Sequence, residues 1–143
     1  MTSARDARVY AWENRVVAPL DRSVVPFAQM QAIVDHVWTG EGLRWPPRMR
    51  LRKATRATLA TGSRLAIEAP ESLPSWILLH EIAHAMTSAA DGAGDGHGAD
   101  FVGVYVGLLV RYARMDADML AESLRSAGIA WNPEARPAFL DRF

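Results

Sequence analysis

The chain contains no cysteine. That absence excludes a disulfide framework, a thiolate zinc site, an iron–sulfur cluster and a cysteine nucleophile. Any metal must be held by His, Asp or Glu. An excess of either charge is also missing. Sixteen basic residues balance 16 acidic ones, so no global field recruits nucleic acid or a membrane surface. Long apolar runs are absent too. The longest, Phe101 to Val110, is closed by Asp100 and Arg111. It is too short to span a bilayer and reads as a buried helix. The first charged residues, Arg5 and Asp6, are not followed by an apolar stretch of the kind a secretory leader carries. The expectation is a cytoplasmic protein with no membrane partner.

What remains is ordinary globular composition. Half of the 143 residues are hydrophobic and 22% are charged. One domain over residues 1–143, with one core and no internal repeat, accounts for that length.

Ser3 with Asp6 has the form of a capping-box helix start. Val9, Trp12, Val16 and Leu20 then recur at helical spacing, with Pro19 near the stop. A second helix is predicted from about Val25 to Thr39, on a stripe of Phe27, Met30, Val34, Val37 and Trp38. After Trp45-Pro46-Pro47 the period changes to two. Arginines alternate with apolar residues from Arg48 to Arg52, as in a strand wet on one face. A second strand is expected near Ala57 to Ala60, then a turn at Thr61-Gly62-Ser63. A third strand, Arg64 to Glu68, would face Leu65 and Ile67 inward. The sheet is expected to be small and largely antiparallel. Leu73 to about Thr87 is apolar nearly all round, the mark of a buried helix. A glycine-rich loop follows, then helices over about Gly98–Arg114 and Asp116–Ala127, and a loose tail from Asn132. The fold class is α+β.

The buried helix carries His80-Glu81-Ile82-Ala83-His84, the His-Glu-x-x-His pattern of zinc hydrolases. Residues four apart lie about 40° apart around a helix, so both imidazoles can reach one cation. Glu81 lies between them in projection, placed to hold a metal-activated water without being a ligand. Three ionisable side chains in the most apolar helix cost several kcal/mol or so unless something pairs them, and a dication does that. The bland alternative is a buried His–Glu pair. Catalytic zinc needs a third protein ligand and one open position. His97, thirteen residues after His84, heads the next helix behind a glycine hinge that lets the chain return over the motif. Glu122 competes for that role, and Asp91, Asp95 or Asp100 stand behind it. His36 reads as a helix-surface residue. Asp100 is a candidate to orient a ligand imidazole. Tyr105, about 80° from His97 around the helix, is a candidate hydrogen-bond donor to an oxyanion. Phe101, Val104 and Leu108 share the face of His97, while Gly103 and Gly107 form a smooth stripe for close packing elsewhere. An EF-hand reading of Asp91 and Asp95 fails, because Ala93 and Val102 stand where ligands are needed.

His80-Glu81-Ile82-Ala83-His84 followed by His97-Gly98-Ala99-Asp100-Phe101 resembles the small zincins of the SprT-like and minigluzincin kind. It is most similar to an actinobacterial family of short metallohydrolases with this arrangement. The resemblance runs from about Leu65 to Leu109. It implies a zincin-like fold with the motif helix packed on a small sheet. It also implies zinc and peptide hydrolysis, with His80, His84 and His97 as ligands and Glu81 as base. Two features depart from relatives. Metzincins need a His where this chain has Ala90, and SprT proteins often add a cysteine-bearing zinc module.

The expected activity is therefore that of a zinc hydrolase acting on a peptide or protein, with the edge of the Arg64–Glu68 strand taking an extended substrate. An amidase or deacylase would use the same groups, and a non-catalytic zinc-dependent binding module is the remaining alternative. Arg44, Arg48, Arg50, Arg52, Lys53, Arg56 and Arg64 lie in a stretch without acids. They read as a solvated face or as a weak nucleic-acid patch, with little aromatic interleaving for base stacking.

Overall fold

The computed structural model describes residues 3–53, 55, 59–88 and 96–138. Helix α1 (Ala4–Trp12) starts at Ser3, whose hydroxyl accepts from the Asp6 N–H at 3.0 Å. The helix runs on through a π-helical turn, Glu13–Val17, into the short α2 (Ala18–Leu20). In that turn the Ala18 N–H reaches back five residues to the Glu13 carbonyl. Pro19 has no N–H to give to the Arg15 carbonyl, which favours the wider turn. The added residue shifts the phase of the buried stripe. Val9, Trp12, Glu13 and Val17 are buried, whereas the expected Val16 is half-buried and Leu20 is exposed.

Strand β1 (Val24–Pro26) leads into α3 (Phe27–Gly40), and a later strand, Ser72–Pro74, leads into the motif helix. Both helices start two residues later than predicted. Pro26 and Pro74 are the cap residues. A proline disfavours helical backbone at the residue before it, so Val25 and Leu73 turn extended. The two short strands then pair antiparallel, Val25 opposite Leu73.

The main sheet contains β2 (Arg48–Leu51), β3 (Thr61–Gly62) and β4 (Ala66–Ala69), in the order β2-β4-β3. Ser72–Pro74 is β5. β2 pairs parallel to β4, and β3 pairs antiparallel to it. The sheet is thus mixed rather than largely antiparallel. Part of the strand expected at Ala57–Ala60 lies outside the described residues; Leu59 and Ala60 are not in a strand. Thr61 and Gly62, expected in a turn, form β3 instead. The bend falls at Arg64–Leu65, with the Ser63 N–H donating to the Ala66 carbonyl at 2.9 Å. Leu65 is therefore outside the ladder and 62% exposed, while Ile67 and Ala69 are fully buried. The outer edge of β2 is covered by Gln31 of α3, which accepts from the Met49 N–H and donates to the Pro47 carbonyl.

Helix α4 (Ser75–Thr87) lies between this sheet and α5 (Ala99–Tyr112), and α6 (Ala117–Ser126) packs on α5. α6 is capped by Asp116, which accepts from the N–H groups of Asp118 and Met119. Trp12, Trp38, Ile82, Met86, Phe101 and Leu108 form the centre of the core. The stretch after Asn132 is tied down rather than loose. The Asn132 N–H donates to the Ala99 carbonyl at 3.0 Å, and the Ala138 N–H to the Met86 carbonyl at 2.8 Å. Gly103 makes this crossing possible, since a Cβ there would overlap the Asn132 carbonyl. No helix among the described residues is long and apolar enough to cross a membrane.

Candidate metal centre

α4 buries its motif as the apolar pattern around it requires. His80 and Glu81 are 6% and 7% exposed. His97 lies just before α5 and is equally buried, and Gly96 beside it takes a left-handed backbone (φ +63°) that glycine adopts without strain. The rest of the predicted glycine hinge, with Asp91 and Asp95, lies outside the described residues. Gly98 caps α5, and Phe101 packs one turn on, stacked on the His84 ring at 4.3 Å between centroids.

The three imidazoles converge through the same atom. His97 Nε2 is 3.2 Å from His84 Nε2 and 3.3 Å from His80 Nε2. One ligand nitrogen from each lies within 4.8 Å of the others, a group that could hold a metal ion. Glu81 stands beside it on the wall of a cavity of about 490 Å³. Tyr10, Leu59, Thr61, Gly62, Trp76 and Ile77 complete much of that wall.

The other ring nitrogens of His80 and His97 are held from α1 and its π turn. His80 Nδ1 lies 2.6 Å from Glu13 Oε2, and His97 Nδ1 lies 2.9 Å from Asp6 Oδ1. With Nδ1–H donating to a carboxylate, Nε2 is left bare for coordination. Glu13, 2% exposed, also accepts from the Tyr105 hydroxyl at 2.8 Å.

Burial sets the protonation states of the metal-free site. It holds the His84 imidazole down at about 3, helped by the neighbouring His80 and His97 charges. Burial also lowers His97, against the pull of the Asp6 hydrogen bond. Burial would lower His80 too, but the Glu13 hydrogen bond and charge outweigh it and raise that imidazole. Glu81 is pushed up to about 7, mainly by burial, with His80 opposing. Two neutral imidazoles and a carboxyl titrating near neutrality suit a divalent cation with a nearby base.

No family model matches this chain, and no curated protein or solved structure matches it either.

The remaining predicted residues fall elsewhere. Tyr105 is fully buried behind His80, where its hydroxyl is engaged by Glu13 and lies 3.4 Å from the Trp76 carbonyl. It does not line the cavity, so the oxyanion role expected from its helix angle does not fit; the angle was right for packing and gave no depth. Asp100 is exposed and accepts from Asn132 Nδ2 at 3.1 Å, while Asp6 takes the orienting place expected of it. Glu122 is exposed and paired with Arg125 on α6. His36 is exposed, its ring edge-on to Tyr112.

The seven basic residues do not form one face. Arg64 is 9% exposed, donates to the Trp45 carbonyl at 2.9 Å and lies 5.2 Å from the Trp38 ring centroid. Arg52 is paired with Glu68 at 3.3 Å. Arg48, Arg50 and Lys53 are exposed, and Arg56 lies outside the described residues.

Sequence reasoning missed Asp6 and Glu13. The only signal for Asp6 was its spacing from Ser3, which pointed to a cap. Glu13 stood in a charged stretch with nothing to mark it as buried.

Proposed function

We propose that this chain is a zinc-dependent hydrolase of zincin type, acting on peptide bonds. The observation that carries the reading is the convergence of His80, His84 and His97 through Nε2, with Glu81 on the adjoining cavity wall. The donor set fits zinc, which favours neutral imidazole and a small number of protein ligands. Bound there, zinc would supply Lewis acidity and an acidified water. The Glu81 carboxylate would accept the proton of the attacking water and deliver it to the leaving amine.

An extended substrate would have to meet a different strand from the one first expected. β4 is the middle strand, paired on both sides. β3 is the strand that lines the cavity, and a peptide laid along Thr61–Gly62 would pass over the Glu81 carboxylate side of the site. Trp76, Ile77 and Leu59 give the cavity an apolar wall for a side chain.

The test is metal analysis of the purified chain together with turnover of a peptide library by the zinc-loaded protein. Stoichiometric zinc and cleavage, lost in Glu81→Gln, would support the reading. Zinc without cleavage of peptides, but with cleavage of acylated small molecules, would move the protein to an amidase or deacylase. Zinc without any turnover would leave the binding module.

A further inference from the structure

We infer that the N-terminal helix is the outer half of the metal site, so that its docking and metal binding stabilise each other. The inference rests on the zinc reading above. Asp6, Tyr10 and Glu13 fall within about 60° of one another around α1. All three point at the histidines. Asp6 Oδ1 holds His97 Nδ1, Glu13 Oε2 holds His80 Nδ1, and the Tyr10 ring meets the His97 ring edge-on at 5.0 Å.

The two hydrogen bonds join residues 91 and 67 positions apart in sequence. They are therefore tertiary contacts between α1 and the motif region, not local ones. The π turn begins at Glu13 and admits this carboxylate to the buried face beside Trp12. π turns of this kind often accompany functional sites. Tyr105 of α5 holds the same Glu13 oxygen, fixing it from behind.

The chemistry follows from these placements. A carboxylate on Nδ1–H fixes the tautomer and ring orientation and strengthens Nε2 as a ligand. Two of the three candidate ligands thus take their orientation from one helix. A metal on the Nε2 atoms would strengthen both hydrogen bonds to that helix. In return, a docked helix would present both imidazoles already oriented. Asp6 and Glu13 are positioning residues in this scheme.

The experiment measures zinc affinity by chelator competition for the full-length parent, Asp6→Asn, Glu13→Gln and an outward control, Arg8→Ala. Amide exchange over residues 4–17 is followed with and without zinc. Loss of such supporting partners typically costs about 10–100-fold in metal affinity. The expected result is a loss of that size in Asp6→Asn and in Glu13→Gln, none in Arg8→Ala, and slower exchange of 4–17 in the zinc-loaded parent. Melting in excess chelator separates this from misfolding. Asp6 is partly exposed, so Asp6→Asn should melt with the metal-free parent even if Glu13→Gln does not. Zinc affinity equal to the parent in Asp6→Asn, or exchange in 4–17 indifferent to zinc, would overturn the inference alone. A parent that binds no zinc would overturn both this and the proposed function.

Discussion

Gly62 and Glu81 meet backbone to backbone. A Cβ on Gly62 would overlap the Glu81 carbonyl oxygen, so β3 and α4 approach too closely there for any side chain. The cavity wall and Glu81 are held together at that point. Gly62→Ala must push α4 from β3, since the obstruction is main chain and cannot swing away. Overpacking of this kind costs about 1–3 kcal/mol. A shift of about 1 Å at a reacting centre can cost on the order of 100-fold in rate. The expected outcome is a modest drop in melting temperature and a much larger drop in peptide turnover, with zinc retained. Thermal melting and turnover on the same preparation check it.

Glu81 has a pH signature that needs no substrate. Its carboxyl titrates near 7 in the folded metal-free chain against an ordinary value of 4.5. The folded state then binds more proton than the unfolded state between those values. Its contribution therefore stabilises at low pH and fades as pH rises from 4.5 through 7. His84 has the opposite sign, because its imidazole is held down at about 3. Its contribution is present above 6.5 and is lost as pH falls toward 3. Between 4.5 and 6.5 the two oppose each other. Glu81→Gln removes the first and leaves that of His84, while also withdrawing the smaller pull of the Glu81 charge on His80. The stability of Glu81→Gln relative to the parent, both in excess chelator, should rise from pH 4.5 to 7 and then level off. At about 1.4 kcal/mol per pKa unit, the upper limit of that gain is roughly 3–4 kcal/mol. Denaturant melts at several pH values measure it, and a flat difference would mean that Glu81 is not desolvated. With zinc loaded, the same variant should keep its metal and lose about 100- to 10,000-fold in turnover.

The parts of the site that lie close in sequence were legible. His80 and His84 are one helical turn apart, and His97 follows within a short loop, so spacing alone brings the three together. The carboxylates that orient them were not legible, because they come from the far end of the chain. Two physical details hid them. Asp6 looked like the partner of Ser3, and its N–H does cap there, but its side chain turns to His97. Glu13 broke the expected stripe of Val9, Trp12, Val16 and Leu20, since the π turn adds a residue and rotates Glu13 and Val17 inward. A 3.6-residue period cannot anticipate that shift. The α+β class and the helix centres followed from apolar periodicity. The starts of α3 and α4 did not, because Pro26 and Pro74 convert the residues before them into a two-stranded ribbon. The strand expected from Arg64 begins only at Ala66, so Leu65 falls in the bend and is exposed while Ile67 is buried.

Arg64 behaves as a core residue despite its charge. Its guanidinium bonds the Trp45 carbonyl and lies over Trp38, whose own Nε1 donates to the Arg44 carbonyl at 2.6 Å. Together these hold the segment between α3 and β2. Arg64→Ala should remove a charge-assisted hydrogen bond and the ring contact, costing about 1.5–3 kcal/mol. Arg50→Ala, on an exposed position of β2, should fall within about 0.5 kcal/mol of the parent. Urea melts of both variants distinguish a structural Arg64 from a solvated one. Equal, small effects would return Arg64 to the exposed basic stretch.

The third ligand is decided by comparing His97 with Glu122. His97 offers Nε2 to the same point as His80 and His84, and its Nδ1 is held by Asp6. Glu122 sits on the exposed side of α6 beside Arg125. Losing a ligand should weaken zinc binding far more than losing a surface carboxylate. Metal affinity also appears directly as fold stability, because the site does not exist in the unfolded chain. His97→Ala should therefore lose zinc to micromolar chelator and forfeit the rise in melting temperature that zinc gives the parent. Glu122→Ala should match the parent in both, since an exposed pair on one helix contributes about 0.3–0.5 kcal/mol. The opposite pattern, zinc lost in Glu122→Ala and kept in His97→Ala, would require α6 to reach the site and would retire the three-histidine assignment.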